Sequence, residues 1–209
     1  MHTRTLSLHA QEVLAQLGKT TLLSDMYLAG GTALALYLGH RLSHDFDFYI
    51  RGNVLAVNLA RDLAQIGKFT VDHLEPPHTL LGEFNGIKIS FFRYEYNMLE
   101  EYVYYQNVAL ASVKDIAAMK LSAISGRATK RDYVDLYVLA QQHSFEDMFS
   151  WYDRKFGELG NNRYVLIKSL GYFEDAETDV LPKLFIDVTW EQVKFFLHAQ
   201  SLRLAKKLL

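Results

Sequence analysis

The chain has no cysteine, which removes several chemistries at once. Disulfides, thiolate metal sites and a cysteine nucleophile are all excluded. A dominant charge is also missing. Twenty-two basic and 24 acidic residues leave a net charge of −2, so no global basic field points to nucleic acid, although a local basic site stays open. No apolar run approaches the roughly 20 residues of a membrane span. The start, "MHTRTLSLHAQEVLAQLG", lacks the apolar stretch of a signal peptide and reads as a polar-faced helix. These absences predict a cytoplasmic protein with no membrane association. Repeats and low-complexity segments are lacking too. What is present is apolar material: half of the 209 residues are hydrophobic and 13% aromatic. That suffices for a sizeable core in one large domain or two small ones and argues against disorder.

Along the chain, Met26 to Ala29 reads as a buried strand broken by Gly30-Gly31. Thr32 is placed to cap a helix running to Leu38 and ended by Gly39. Asp45, Asp47 and Tyr49 alternate with Phe46, Phe48 and Ile50, which is the strand period. Asn53 is placed to cap a helix reaching Ile66, and Phe69 to Leu74 reads as a strand closed by Pro76-Pro77. Asn85-Gly86 between alternating runs predicts a hairpin. Val108 to Leu110 is a further short strand. Beyond it the pattern turns helical. Ser112 and Asp115 form a capping-box pattern for a helix to Ser125. Further helices are expected over 130–142, 145–156, 161–173 and 190–209. The chain thus divides near residue 110 into a mixed α/β part, 1–110, and a helical part, 111–209.

Asp45 and Asp47 fall on one face of a strand, with Cα atoms about 6.5–7 Å apart. Two carboxylates so placed repel by about 2 kcal/mol at an effective dielectric near 20. A fold gains nothing from that unless a cation lies between them. Hard oxygen ligands suit Mg²⁺ (or Mn²⁺), which takes one or two protein carboxylates and completes its shell with phosphate oxygens. The bland alternative is a polar, solvated sheet face. Gly30-Gly31-Thr32 adds a glycine turn opening a helix, whose N–H groups and positive end suit phosphate. Together the two features fit an NTP with its metal. No Walker P-loop is present.

On a helical wheel Lys120 falls inside the apolar stripe of Val113, Ile116, Ala117, Leu121 and Ile124. A lysine there needs a partner or a ligand, unless it snorkels at the rim of the core. Asp132 and Asp135 share a face with Leu136 and Leu139 on the next helix. They form either a buried ion pair with Lys120 or a set that orients it toward a triphosphate. Arg127, Lys130 and Arg131 add positive charge near phosphates or an RNA backbone, or form a solvated turn. His40 and His44 flank the aspartates, where either is placed to touch substrate, although a surface or supporting role is the favoured reading. The remaining histidines are scattered without zinc-ligand spacing. Tyr102, Tyr104 and Tyr105 read as packing or interface residues before base stacking. The last helix, with Trp190, Phe195 and Phe196, reads as a packing helix.

"LAGGTALALYLGHRLSHDFDF" (28–48) resembles the first signature of the AbiEii/AbiGii nucleotidyltransferase toxin family, within the polymerase β-like superfamily. "DIAAMKLSAISGRATKRDYVDLYVL" (115–139) resembles its later signature. "SLGYFEDAETD" with Trp190 resembles its helical C-terminal region. The resemblance implies an α+β fold: a polymerase β-like core of a small mixed sheet with helices, then an α-helical C-terminal region. It implies Mg²⁺, an NTP, a cognate antitoxin, and an acceptor hydroxyl such as the tRNA 3′ end. Carried over, Gly30, Gly31, Thr32, Arg127 and Lys130 bind the triphosphate, Asp45 and Asp47 hold the metal, Lys120 neutralises phosphate charge and Asp135 completes the site. One departure is visible. The superfamily sets a third carboxylate on a following strand, where this chain has Lys88 and Ser90, with Glu83 only across the hairpin. That leaves Asp47 as base, the substrate as proton acceptor, or weak catalysis, and it motivates an NTP-binding module without turnover as an alternative. The modest net charge is also compatible with a small-molecule or protein acceptor.

Overall fold

The computed structural model describes residues 1–126, 128–157 and 163–207, and the chain forms two compact units. The first holds Met1–Gly39, Ser43–Asn97 and Glu101–Ser112. The second holds Val113–Leu209 and two short segments from earlier in the chain, His40–Leu42 and Met98–Glu100.

In the first unit, strands β1 (Met26–Leu28), β2 (Phe46–Ile50), β3 (Phe69–Glu75), β4 (Thr79–Phe84), β5 (Ile87–Arg93), β6 (Val103–Tyr105) and β7 (Val108–Leu110) form one mixed sheet in the order β3-β4-β5-β2-β1-β7-β6. β2 runs parallel to β5 and β1 parallel to β7, and the other neighbours are antiparallel. The Asp–Phe alternation does what its period requires. Phe46 and Phe48 are fully buried on one face with Ile89 and Phe91 of β5. Asp47 and Tyr49 stand on the other face, level with Ser90 and Phe92. Helices α1 (Leu8–Leu17), α2 (Gly30–Leu38) and α3 (Ala56–Ile66) supply the rest of this core. α2 packs against β2, and α3 against β3 and β4. Ala33 to Leu36 are all fully buried, as are Leu14, Leu17 and Leu63. Asn85 and Gly86 both have positive φ, 48° and 82°, as a two-residue hairpin turn of this twist demands.

Several local expectations shift. α2 begins at Gly30 with Ala29 at the N-cap, so Thr32 lies inside the helix and does not cap it. α3 begins at Ala56, three residues after Asn53. The pairing of β6 with β7 places Tyr104 and Tyr105 in a strand.

In the second unit, α4 (Val113–Ser125) packs against α5 (Lys130–Leu139), α6 (Phe145–Phe156) and α7 (Arg163–Ser169), and α8 (Trp190–Ala205) closes on α5 and α7. Ile116, Leu121, Leu136, Leu139, Met148, Val193 and Leu197 make the core. Among the described residues of this unit, three helix starts carry reciprocal capping boxes, Thr129–Asp132, Ser144–Asp147 and Thr189–Gln192. Each satisfies backbone N–H groups that helical bonding leaves open. The segment His40–Leu42 is bonded to 183–185 through Leu42 N to Lys183 O at 2.9 Å and Phe185 N to His40 O at 2.8 Å.

Candidate active site

The sheet face bearing Asp47 is where the glycine turn ends. Gly30 has φ +64°, and a Cβ placed on it would lie 3.1 Å from Asp47 Oδ2. The Asp47 carboxylate therefore sits at the N-terminal end of α2. There the open N–H groups of the first turn favour negative charge. The backbone fixes this arrangement, since Ala29 N donates to Asp47 O at 3.0 Å. Asp45 and Asp47 are both half-buried, and so are Gly30 and Gly31.

Thr32 is different. It is 2% exposed, and its hydroxyl bonds the Ser43 hydroxyl at 2.7 Å and donates to the Asp45 carbonyl. It ties the segment entering β2 to α2 and so sets where Asp45 begins. Ser90 stands beside Asp47 on the parallel neighbour β5, so no acid occupies that place on the adjoining strand. Glu83 is paired across the hairpin with Lys88, two residues back from Ser90 along β5. His44 is exposed next to Asp45. Among the described residues no three His, Asp or Glu side chains stand together as a self-sufficient metal site. Asp45 lies just before β2 and not in it, so the expected strand-face pair becomes one carboxylate at the strand's entry and one on its face. Two half-buried carboxylates so placed, beside a helix N-terminus, fit a magnesium ion that takes its other ligands from phosphate. They do not fit a metal held by protein alone.

In the second unit the inward lysine is confirmed and its surroundings are richer than the sequence pattern suggests. Lys120 Nζ lies 2.7 Å from Asp135 Oδ2 and 2.8 Å from Asp132 Oδ1. Asp135 is fully buried and takes four donors: Arg41 Nε at 2.6 Å, Arg41 Nη2 at 2.9 Å, His40 Nε2 at 2.7 Å, and Lys120. Burial alone would raise the Asp135 pKa. The Arg41 and Lys120 charges, with hydrogen bonds from Arg41 and His40, overcome it and hold the carboxyl well below its ordinary value. Burial likewise works against charge on Lys120, and the two aspartates reverse it, so its pKa is raised. Asp132 is lowered, with burial opposed by Lys120. Asp132 Oδ2 also accepts from Thr129 N and Oγ1.

The sequence pattern singled out Lys120, Asp132 and Asp135 because they break a local apolar period. It read His40, which is fully buried, only as a surface or supporting residue and left Arg41 aside, because nothing local marks a partner 94 or 95 residues away. It also passed over Lys155 and read Asp115 only as a capping residue, whereas the two form a wholly buried pair 2.7 Å apart in which Asp115 also takes the Leu99 N–H. The available signal was Lys155 standing beside the buried Tyr152 and Phe156 of α6. Lys130 donates to the carbonyls of Glu177 and Asp179, both at 2.9 Å, and lies over the Trp190 ring. Arg127 lies outside the described residues.

A mixed sheet with Asp45 and Asp47 beside a glycine-led helix is the arrangement that the family resemblance implied. The model of the family described as nucleotidyl transferase AbiEii toxin, type IV toxin–antitoxin system, matches residues 12–91 and 82–196, and the chain belongs to that family. An uncharacterized protein of Aquifex aeolicus, aq_aa25, is 34% identical over 203 residues, covering 92% of this chain and 94% of that one. Among solved structures, JHP933 from Helicobacter pylori superposes with a TM-score of 0.58 at 20% identity, over 97% of this chain and 94% of that one. MenT4, a nucleotidyltransferase toxin of Mycobacterium tuberculosis, does so with 0.57 at 15% identity, over 96% and 87%. At such identities the likeness carries the fold. No helix among the described residues is long and apolar enough to cross a membrane.

Proposed function

We propose that this protein transfers a nucleotide from an NTP to an acceptor hydroxyl, with the tRNA 3′ end as the acceptor, and acts in this way as the toxin of a toxin–antitoxin pair. The observation that carries the reading is the juxtaposition of Asp47 with the N-terminus of α2 at Gly30. Asp45 and Asp47 would hold Mg²⁺, or Mn²⁺ in its place. The bound ion would supply charge stabilisation to the oxygens attacking and leaving phosphorus. The Gly30-Gly31 backbone receives the phosphates, and Thr32 acts by fixing Asp45. The acceptor oxygen bonds to the α-phosphorus as the bond to the β-phosphate bridge breaks, and pyrophosphate leaves with those electrons. With Ser90 in the place of a third acid, the acceptor proton goes to Asp47 or to a phosphate oxygen of the NTP. In the second unit the Lys120 ammonium is held charged by Asp132 and Asp135. A cytoplasmic location and an antitoxin partner complete the proposal.

Labelled NTPs incubated with tRNA test it. Transfer by the wild type and its loss in Asp45→Ala are expected, and equal transfer by the two would overturn it. Ser90 beside Asp47 favours one second reading, an NTP-binding module without turnover. Calorimetric binding of Mg²⁺·NTP with no product from tRNA, small-molecule or protein acceptors would establish that reading instead.

A further inference from the structure

The sheet face that carries Asp47 continues into a row of rings. Tyr49 follows Asp47 by two residues on β2, a step of about 6.5–7 Å on the same face. Its ring stacks on Tyr27 of β1 with centroids 5.8 Å apart, and Tyr27 stacks on Tyr102 at 5.3 Å. On its other side Tyr49 meets Phe92 of β5 at 5.5 Å and Tyr94 at 5.2 Å, and Tyr94 meets Tyr96 at 4.9 Å. Tyr27 is 1% exposed, whereas Tyr49, Phe92, Tyr94, Tyr96 and Tyr102 are all half-buried. The buried face of the same strands is built instead from phenylalanine and aliphatic side chains with no hydroxyl to hydrate. A guanidinium adjoins the row: Arg51 Nη2 donates to Asn97 Oδ1 at 2.8 Å, beside Tyr96, and both residues are exposed. The acid on this stretch, Glu95, is engaged by Arg93.

We propose that this row of rings, with Arg51 at its edge, is a stacking platform for unpaired bases at the 3′ end of a single-stranded polynucleotide, the acceptor that presents its terminal hydroxyl at Asp45 and Asp47. The inference rests on the transferase reading for what happens at the aspartates, but not for the binding itself. Ring faces accept any base, while Arg51 pairs with the backbone phosphate. Continuity with the aspartate pair points to an acceptor strand that lies along β2 and ends at the carboxylates.

The test is fluorescence anisotropy with a labelled single-stranded RNA, the same sequence as DNA, and an abasic version lacking its last bases, all without metal or NTP. Wild-type protein should bind the base-bearing strand, RNA or DNA, about 10- to 100-fold more tightly than the abasic one. The double variant Tyr94→Leu, Tyr96→Leu should lose that difference while keeping the wild-type melting temperature, and Tyr94→Phe, Tyr96→Phe should retain it. Equal wild-type affinity for intact and abasic strands would overturn the proposal. So would undiminished discrimination in the folded leucine variant. If the leucine variant does not fold, the abasic comparison and the phenylalanine variant decide. Base-dependent binding without nucleotide transfer would sink the transferase reading and leave the platform. Transfer with base-independent binding would do the reverse.

Discussion

Asp45 and Asp47 are half-buried at the entry and on the face of β2, whereas Asp135 is a fully buried carboxylate with four donors. Asp135→Ala takes the shared carboxylate from buried Arg41 and His40 and leaves Lys120 with Asp132 alone, so urea unfolding should show a loss of about 3–5 kcal/mol. Asp45→Asn removes one of the two carboxylates assigned to the metal, so its cost should appear in nucleotide transfer and in Mg²⁺·NTP binding by calorimetry. The pH dependence follows from the same pairs. Asp132 and Asp135 are held below the ordinary value of about 3.9. Their stabilisation is therefore whole above that value and is lost as pH falls toward the depressed values of the folded state. Lys120 is raised. Its share is whole below about pH 10.4 and is lost as pH climbs through the higher folded value. Melting temperature against pH should show a plateau between these limbs, and Asp135→Asn should shrink both. Gly30→Ala meets two penalties: a positive φ costing about 1–2 kcal/mol and a methyl 3.1 Å from Asp47 Oδ2. It should weaken Mg²⁺·NTP binding by calorimetry more than it lowers stability.

At the scale of elements, what the sequence revealed was local. The Asp–Phe alternation gave β2 its correct faces, Asn85-Gly86 gave the β4–β5 turn, and the apolar stripe of α4 put Lys120 inward, because each needs only neighbours in the chain. The role of Thr32 was hidden, since its hydroxyl bonds residues 11 and 13 positions on. β6 was hidden because its three residues are a strand only by pairing with β7. Asn85 shows how a local signal also serves distant structure. Its Oδ1 accepts from Lys68 N at 2.8 Å, its Nδ2 donates to Gln16 at 3.0 Å, and its carbonyl meets His9 Nε2 at 2.6 Å. Asn85→Gly would keep the turn and remove the two side-chain bonds. It should cost about 1–3 kcal/mol in thermal or urea unfolding, more than a turn substitution alone, and a loss under 0.5 kcal/mol would show those bonds to be idle.

At the scale of the molecule, the same locality explains why a single boundary near residue 110 does not describe the units. The composition does change there, from alternating strands to helical periods. The second unit nevertheless includes His40–Leu42 and Met98–Glu100, and each segment is fixed in it by a buried carboxylate. Asp135 binds the His40 and Arg41 side chains, and Asp115 takes the Leu99 N–H beside Lys155. A fragment cut as 111–209 would lose Arg41 and His40 from Asp135 and the backbone donor from Asp115. It would also lose the partner of the Lys183 and Phe185 backbone groups. Buried polar groups stripped of partners cost about 1–3 kcal/mol each, and domains have only about 5–15 kcal/mol to lose. The isolated fragment should therefore keep helical far-ultraviolet circular dichroism while lacking the sharp near-ultraviolet signal and cooperative melting of packed Trp190 and Trp151. A fragment that melts cooperatively with a near-native aromatic spectrum would show instead that the helices hold their buried charges without those two segments.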